Sequence, residues 1–159
     1  MPTASVDFTR PANTTAYTAN DVVGATAAAL TFEKLGSPDG SDVVIMSAAL
    51  RRDQNAVISG EGVYRLHLYN VTPPSAPADN AAWDLPSGDR ASYLGYIDIG
   101  TIADLGSTLW IEANNLGKQV KLLSGSLYGL LVTIGAYTPV SADTYRVTLS
   151  CIPAHNQNN

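Results

Sequence analysis

At 159 residues the chain is one domain in size. It is long enough to bury a core without a disulfide or metal staple. Charged residues make up only 14% against 45% apolar, and the net charge is −5. Aspartate supplies 11 of the 14 acids, while Lys and Glu number three each. This balance argues against a helical bundle, against a disordered chain and against a basic nucleic-acid-binding face. The single cysteine, Cys151, excludes an intrachain disulfide and a Cys-rich zinc site.

Taken in chain order, the N-terminus has no apolar signal core. No stretch approaches the ~18 apolar residues of a membrane-spanning helix. The expectation is therefore synthesis and folding in the cytosol, with no membrane partner. Without a signal sequence, the acceptor patterns at Asn13 and Asn70 are chance matches for glycosylation. A strand is predicted over 6–8, followed by a polar Thr/Ala-rich segment over 10–20. Shorter apolar runs over 21–23, 30–33 and 43–50 come next, the last two separated by a Gly/Ser/Pro/Asp turn at 36–40. In 63–69, Tyr64, Leu66 and Leu68 alternate with Arg65, His67 and Tyr69, the period-two pattern of a half-buried strand.

The segment 71–92 carries four prolines, Trp83 and three aspartates and fits no strand. A loop of that length is uncommon in a compact domain and is often functional. Strands follow over 93–99, 108–112, 119–122, 127–134 and 144–150. In 127–134, Tyr128, Leu130, Val132 and Ile134 share a face. In 144–150, Tyr145, Val147 and Leu149 oppose Arg146 and Thr148, and Cys151 extends the inward set as a small core residue. Only 80–84 and 101–105 could form helical turns. The tail 154–159 is polar and predicted to fray.

Eight to ten short strands with Gly/Pro/Ser/Asp turns predict an all-β fold: an antiparallel two-sheet sandwich, jelly-roll-like. An immunoglobulin-like sandwich, with fewer strands, is the alternative. Residues 1–159 read as one domain with an N-terminal arm over about 1–20.

Candidate chemistry is sparse. A triad would have to use His67 or His155, and no Gly-x-Ser-x-Gly elbow is present. On its strand's polar face, His67 reads as a surface or interface residue. Asp98 and Glu112 are the strand carboxylates that a glycosidase pair would need. Asp-containing turns at 39–42 and 98–104 lack the spacing of a calcium loop. The reading is a non-enzymatic protein with no cofactor and no metal. Abundant Tyr with Trp83 and Trp110 describes a contact surface or a sugar-stacking face.

The segment Phe8-Thr-Arg-Pro-Ala-Asn-Thr-Thr-Ala-Tyr-Thr-Ala-Asn-Asp-Val-Val-Gly24 resembles one found in small structural proteins of tailed-bacteriophage virions. Val63-Tyr-Arg-Leu-His-Leu-Tyr-Asn-Val-Thr-Pro-Pro74 is similar in the same way. The resemblance covers about the first two-thirds of the chain and is most like capsid decoration (cement) proteins. It implies a protein on the virion's capsid surface that stabilises the shell, with the major capsid protein and a homotrimer of itself as partners. The contact residues expected on that reading are Val6, Phe8, Arg10 and Tyr17 in the arm, with Pro73, Pro74, Trp83 and Arg90 in the long loop. The alternatives are a carbohydrate-binding β-sandwich module and a phage tail or fibre component.

Overall fold

The computed structural model describes residues 1–154. It contains ten strands and, among the described residues, no helix. They are β1 (Thr3–Thr9), β2 (Asp21–Val22), β3 (Leu30–Phe32), β4 (Ser41–Arg52), β5 (Val63–Tyr69), β6 (Tyr93–Thr101), β7 (Ala103–Asp104), β8 (Leu109–Leu122), β9 (Leu127–Thr133) and β10 (Thr144–Pro153). One sheet has the order β1-β10-β4-β8-β7. The other has β2-β9-β5-β6, with β3 also paired to β9.

The antiparallel pairs β1–β10, β2/β3–β9, β4–β8 and β5–β6 nest inside one another as the two arms of one long hairpin. Two further pairings, β10–β4 and β9–β5, roll that hairpin into two facing sheets. This connectivity is the jelly roll. The predicted class therefore holds, and the immunoglobulin-like alternative does not.

The inward sets fall where the alternation placed them. Tyr64, Leu66 and Leu68 from β5, and Tyr145, Val147, Leu149 and Cys151 from β10, are all fully buried between the sheets. Gly129 holds its place for steric reasons. A Cβ there would lie 2.9 Å from Leu66 Cδ1 and 3.3 Å from Phe32 Cε2, so any larger residue would displace those core side chains.

Two local readings need correction. The stretches 108–112 and 119–122 are one continuous strand, β8. Asn115 and Gly117 take positive φ (57° and 60°), and three residues of β8 bulge opposite Met46 of β4. Asn and Gly in sequence signal a turn, and here they make a bulge. Segments 80–84 and 101–105 are not helical; the latter overlaps the end of β6 and the short β7. The tail predicted to fray lies outside the described residues beyond Ala154. The Ala154 amide itself donates to the Asp42 carbonyl at 2.9 Å.

Candidate interaction surface

The expected arm does not project from the body. β1 pairs with β10 over seven consecutive residues. Phe8 is buried, with its ring stacked on Tyr145 at 5.0 Å. Beyond β1, the chain turns at Pro11 and returns along the end of the sandwich. The Arg10 amide donates to the Asp143 carbonyl, and the Tyr17 amide to the Tyr137 carbonyl, each at 2.9 Å.

This path delivers Arg10 and Tyr17 to Asp79 of the long loop. Arg10 Nε donates to the Tyr17 hydroxyl. That hydroxyl donates to Asp79 Oδ1 at 2.5 Å, and Arg10 Nη2 donates to Asp79 Oδ2 at 3.2 Å. The Gly24 amide completes the carboxylate's coordination at 3.0 Å. Burial alone would lower the Arg10 pKa; Tyr17 and Asp79 outweigh it, and the pKa is raised. Burial, reinforced by the hydrogen bond to Asp79, raises that of Tyr17. The two segments predicted as separate contact elements are thus fastened to each other.

A second buried polar cluster closes the same end. Arg52 is fully buried; it donates to Glu61 and, through Nε, to Asp143 Oδ2 at 2.9 Å. The Tyr64 hydroxyl donates to Glu61 Oε1 at 2.5 Å. The Tyr137 hydroxyl lies 2.8 Å from that of Tyr64 and 3.2 Å from that of Tyr145. Burial pushes the Tyr145 phenol up to about 12, although the nearby Arg52 charge opposes this. One guanidinium shared between two carboxylates satisfies a charge that would otherwise be very costly in the interior.

The long loop crosses the outer face of the β2-β9-β5-β6 sheet and creates a second apolar layer. Val22, Tyr69, Leu130 and Val132 are buried there, with Trp83, Leu85 and Tyr93 packed against them. This changes the reading of His67. Its phase is outward, as expected, but the loop covers it, leaving it 3% exposed. Its ring stacks on Trp83 at 3.7 Å and 13°, and Nδ1 lies 2.9 Å from the Tyr93 hydroxyl. Burial, with the neighbouring Arg65 charge, lowers its pKa to about 4. Trp83 Nε1 in turn donates to the Tyr69 hydroxyl at 3.1 Å. The loop's far end is held by Asp89, whose carboxylate accepts from the Ser75 amide at 3.1 Å and the Ser75 hydroxyl at 2.5 Å.

The expected contact residues therefore divide into two sets. Phe8, Arg10, Tyr17 and Pro73 are buried in the protein's own body. Val6 and Trp83 are half-buried, and Pro74 and Arg90 are exposed. Beside His67, with ring centroids 5.7 Å apart, Tyr96 is 48% exposed with the Arg65 guanidinium 4.0 Å over its ring, and Arg65 is paired with Asp98 at 2.7 Å. Sequence reasoning missed Asp79, Glu61, Arg52 and Asp143. The adjacent pair Arg51-Arg52 on a strand was the available signal, because strand alternation must send one of two neighbours inward.

The carboxylates considered as a pair are on opposite sides of the molecule. Asp98 projects from β6 on one outer face and Glu112 from β8 on the other. Among the described residues, no three His, Cys, Asp or Glu side chains converge to hold a metal ion.

No family model matches the chain. No curated protein matches it either. Among solved structures it is similar to a chain in the capsid of Ralstonia phage GP4, at 13% identity and a TM-score of 0.45, covering 98% of this chain and 86% of that one. It is also similar to the K1 cleaved adhesin domain of Lys-gingipain from Porphyromonas gingivalis, at 11% identity and a TM-score of 0.32, covering 98% and 100%. A third likeness is to tomato aspermy virus, at 8% identity and a TM-score of 0.30, covering 99% and 80%. Likenesses of this degree define no family and assign no function.

Proposed function

We propose that this chain is a non-enzymatic structural protein of a virion that binds and stabilises the outer surface of a phage capsid, as a decoration or cement protein. The observation that carries the reading is the fastening of the N-terminal segment to the long loop through Arg10, Tyr17 and Asp79. The two stretches whose phrasing resembles phage structural proteins lead into this one preorganised region. A surface ordered before contact loses little conformational entropy on binding, which suits a protein that clamps a rigid shell. Prolines 73, 74, 77 and 86 stiffen the loop further.

Its partner is the major capsid protein, reached after synthesis in the host cytoplasm. Contact on this reading falls to the exposed Pro74 and Arg90 and the half-exposed Trp83 rather than to the buried Phe8, Arg10 and Tyr17. The homotrimer implied by the resemblance is a separate expectation. The free outer edge of β1 favours a two-fold arrangement instead.

The test is co-sedimentation with shells assembled from the accompanying major capsid protein. Arg90→Glu and Pro74→Asp change exposed loop residues and should weaken binding at unchanged melting temperature. Undiminished binding by both would remove the loop from the interface. Deletion of 2–10 is not a usable test, because it removes a sheet strand and the Phe8 ring from the core.

A further inference from the structure

We infer that the free edge of β1 pairs with β1 of a second copy, making a two-fold dimer with one sheet continuous across both protomers. The inference stands apart from the virion reading and rests on how the sheet edges are treated.

Exposed edge strands invite pairing, and proteins blunt them with bulges, lysines, prolines or brevity, while glycines weaken a strand and mark its bulges. Three of the four edges here carry such devices. The β6 edge has two register shifts and positive-φ glycines at Gly95 and Gly100. The β8 edge is partly covered by β7, bulges at 115–117, and holds Lys118 and Lys121, two of the chain's three lysines. The fourth strand of the other sheet is broken into β2 and β3, of two and three residues. By contrast, β1 has seven residues in uninterrupted register and contains no Lys, Pro or Gly. Its one charge, Asp7, is neutralised by Arg146 at 2.6 Å.

The hydrogen-bonding direction of β1 is fixed by its two ends. The Pro2 carbonyl accepts from Cys151, and the Arg10 amide donates to Asp143. Bonds alternate along an antiparallel pair, so even-numbered residues face β10. Thr3, Ser5, Asp7 and Thr9 then turn their amides and carbonyls to the open edge.

One antiparallel self-register engages all of these groups. It sets Thr3 opposite Thr9 and Ser5 opposite Asp7, with the two Val6 residues facing each other on the two-fold axis. A shift of two residues in either direction leaves some of the groups unpaired, and one such shift sets Asp7 against Asp7. In the inferred register the Ser5 hydroxyl can donate to the facing carboxylate. It thus extends the outer-face row of hydroxyl contacts already made by Ser5 with Thr148 at 2.8 Å and Thr3 with Ser150 at 3.2 Å. The half-buried Val6 gains an apolar partner.

The test uses the full chain and two variants. Light scattering across a dilution series should give twice the 16.7 kDa chain mass at the concentrated end. Val6→Cys, at a non-hydrogen-bonded pair with Cα atoms about 4.5 Å apart, should form a disulfide-linked dimer on oxidation, whereas Thr9→Cys should not link to itself. Ser5→Pro removes an edge amide that β10 does not use. It should give the monomer mass with an unchanged far-ultraviolet spectrum. A monomeric or trimeric parent, or a dimer that Val6→Cys fails to trap or Ser5→Pro fails to dissociate, overturns the inference.

Discussion

Acidification from pH 7 to pH 5 should destabilise the protein through His67, and His67→Phe should abolish that part of the loss. The imidazole is covered by Trp83, and its pKa is lowered from 6.5 to about 4, first by burial and then by Arg65, with Asp98 opposing. The unfolded chain therefore binds a proton that the folded chain refuses. The His67 contribution is fully present above pH 6.5, and stability falls as the pH drops from 6.5 towards 4. At about 1.4 kcal/mol per unit, the whole shift is worth about 3 kcal/mol, of which about 2 kcal/mol is lost by pH 5. Urea denaturation followed by tryptophan fluorescence at both pH values measures this. Phenylalanine keeps the stack on Trp83 and has nothing to protonate, so its pH dependence should be flatter by that amount. Equal slopes for parent and variant would refute the argument that the loop seals His67 from water.

Arg52→Met leaves Glu61 and Asp143 buried without their cation, and should cost about 3–5 kcal/mol in urea denaturation. A loss below about 1 kcal/mol would mean that water reaches the cluster. Phe8→Ala removes the ring stacked on Tyr145 and should cost about 3 kcal/mol, although it lies near the N-terminus. A variant as stable as the parent would show that β1 is not held in the sheet. The Cys151 thiol, pushed up by burial to about 11, should resist thiol reagents at pH 8 until the chain unfolds, whereas immediate labelling of the native protein would contradict its core position.

Much of the sandwich could be read from alternation alone. The inward triplets of β5 and β10 obey a strict period of two and pack as that period requires. In β9 the shared face of Tyr128, Leu130, Val132 and Ile134 turns away from the main core, which takes Leu127 and Leu131 instead, and that face is covered only because the long loop crosses it. Two things escaped for definite reasons. The continuity of β8 was hidden because Asn115 and Gly117 carry the same local chemistry in a bulge as in a turn. The depth of His67, Arg10 and Tyr17 was hidden because it depends on residues distant in sequence. Asp79 lies 69 residues from Arg10, and Trp83 covers His67 only once the long loop has crossed the sheet. Periodicity reports which face a residue takes. It does not report whether another segment covers that face.

The most direct test of the proposed role is to mix the purified chain with shells assembled from the accompanying major capsid protein and sediment them. A decoration protein should bind saturably to the outside of the shell and raise the resistance of the decorated shell to heat. A chain that stays in the supernatant at every concentration, leaving shell stability unchanged, would contradict that role.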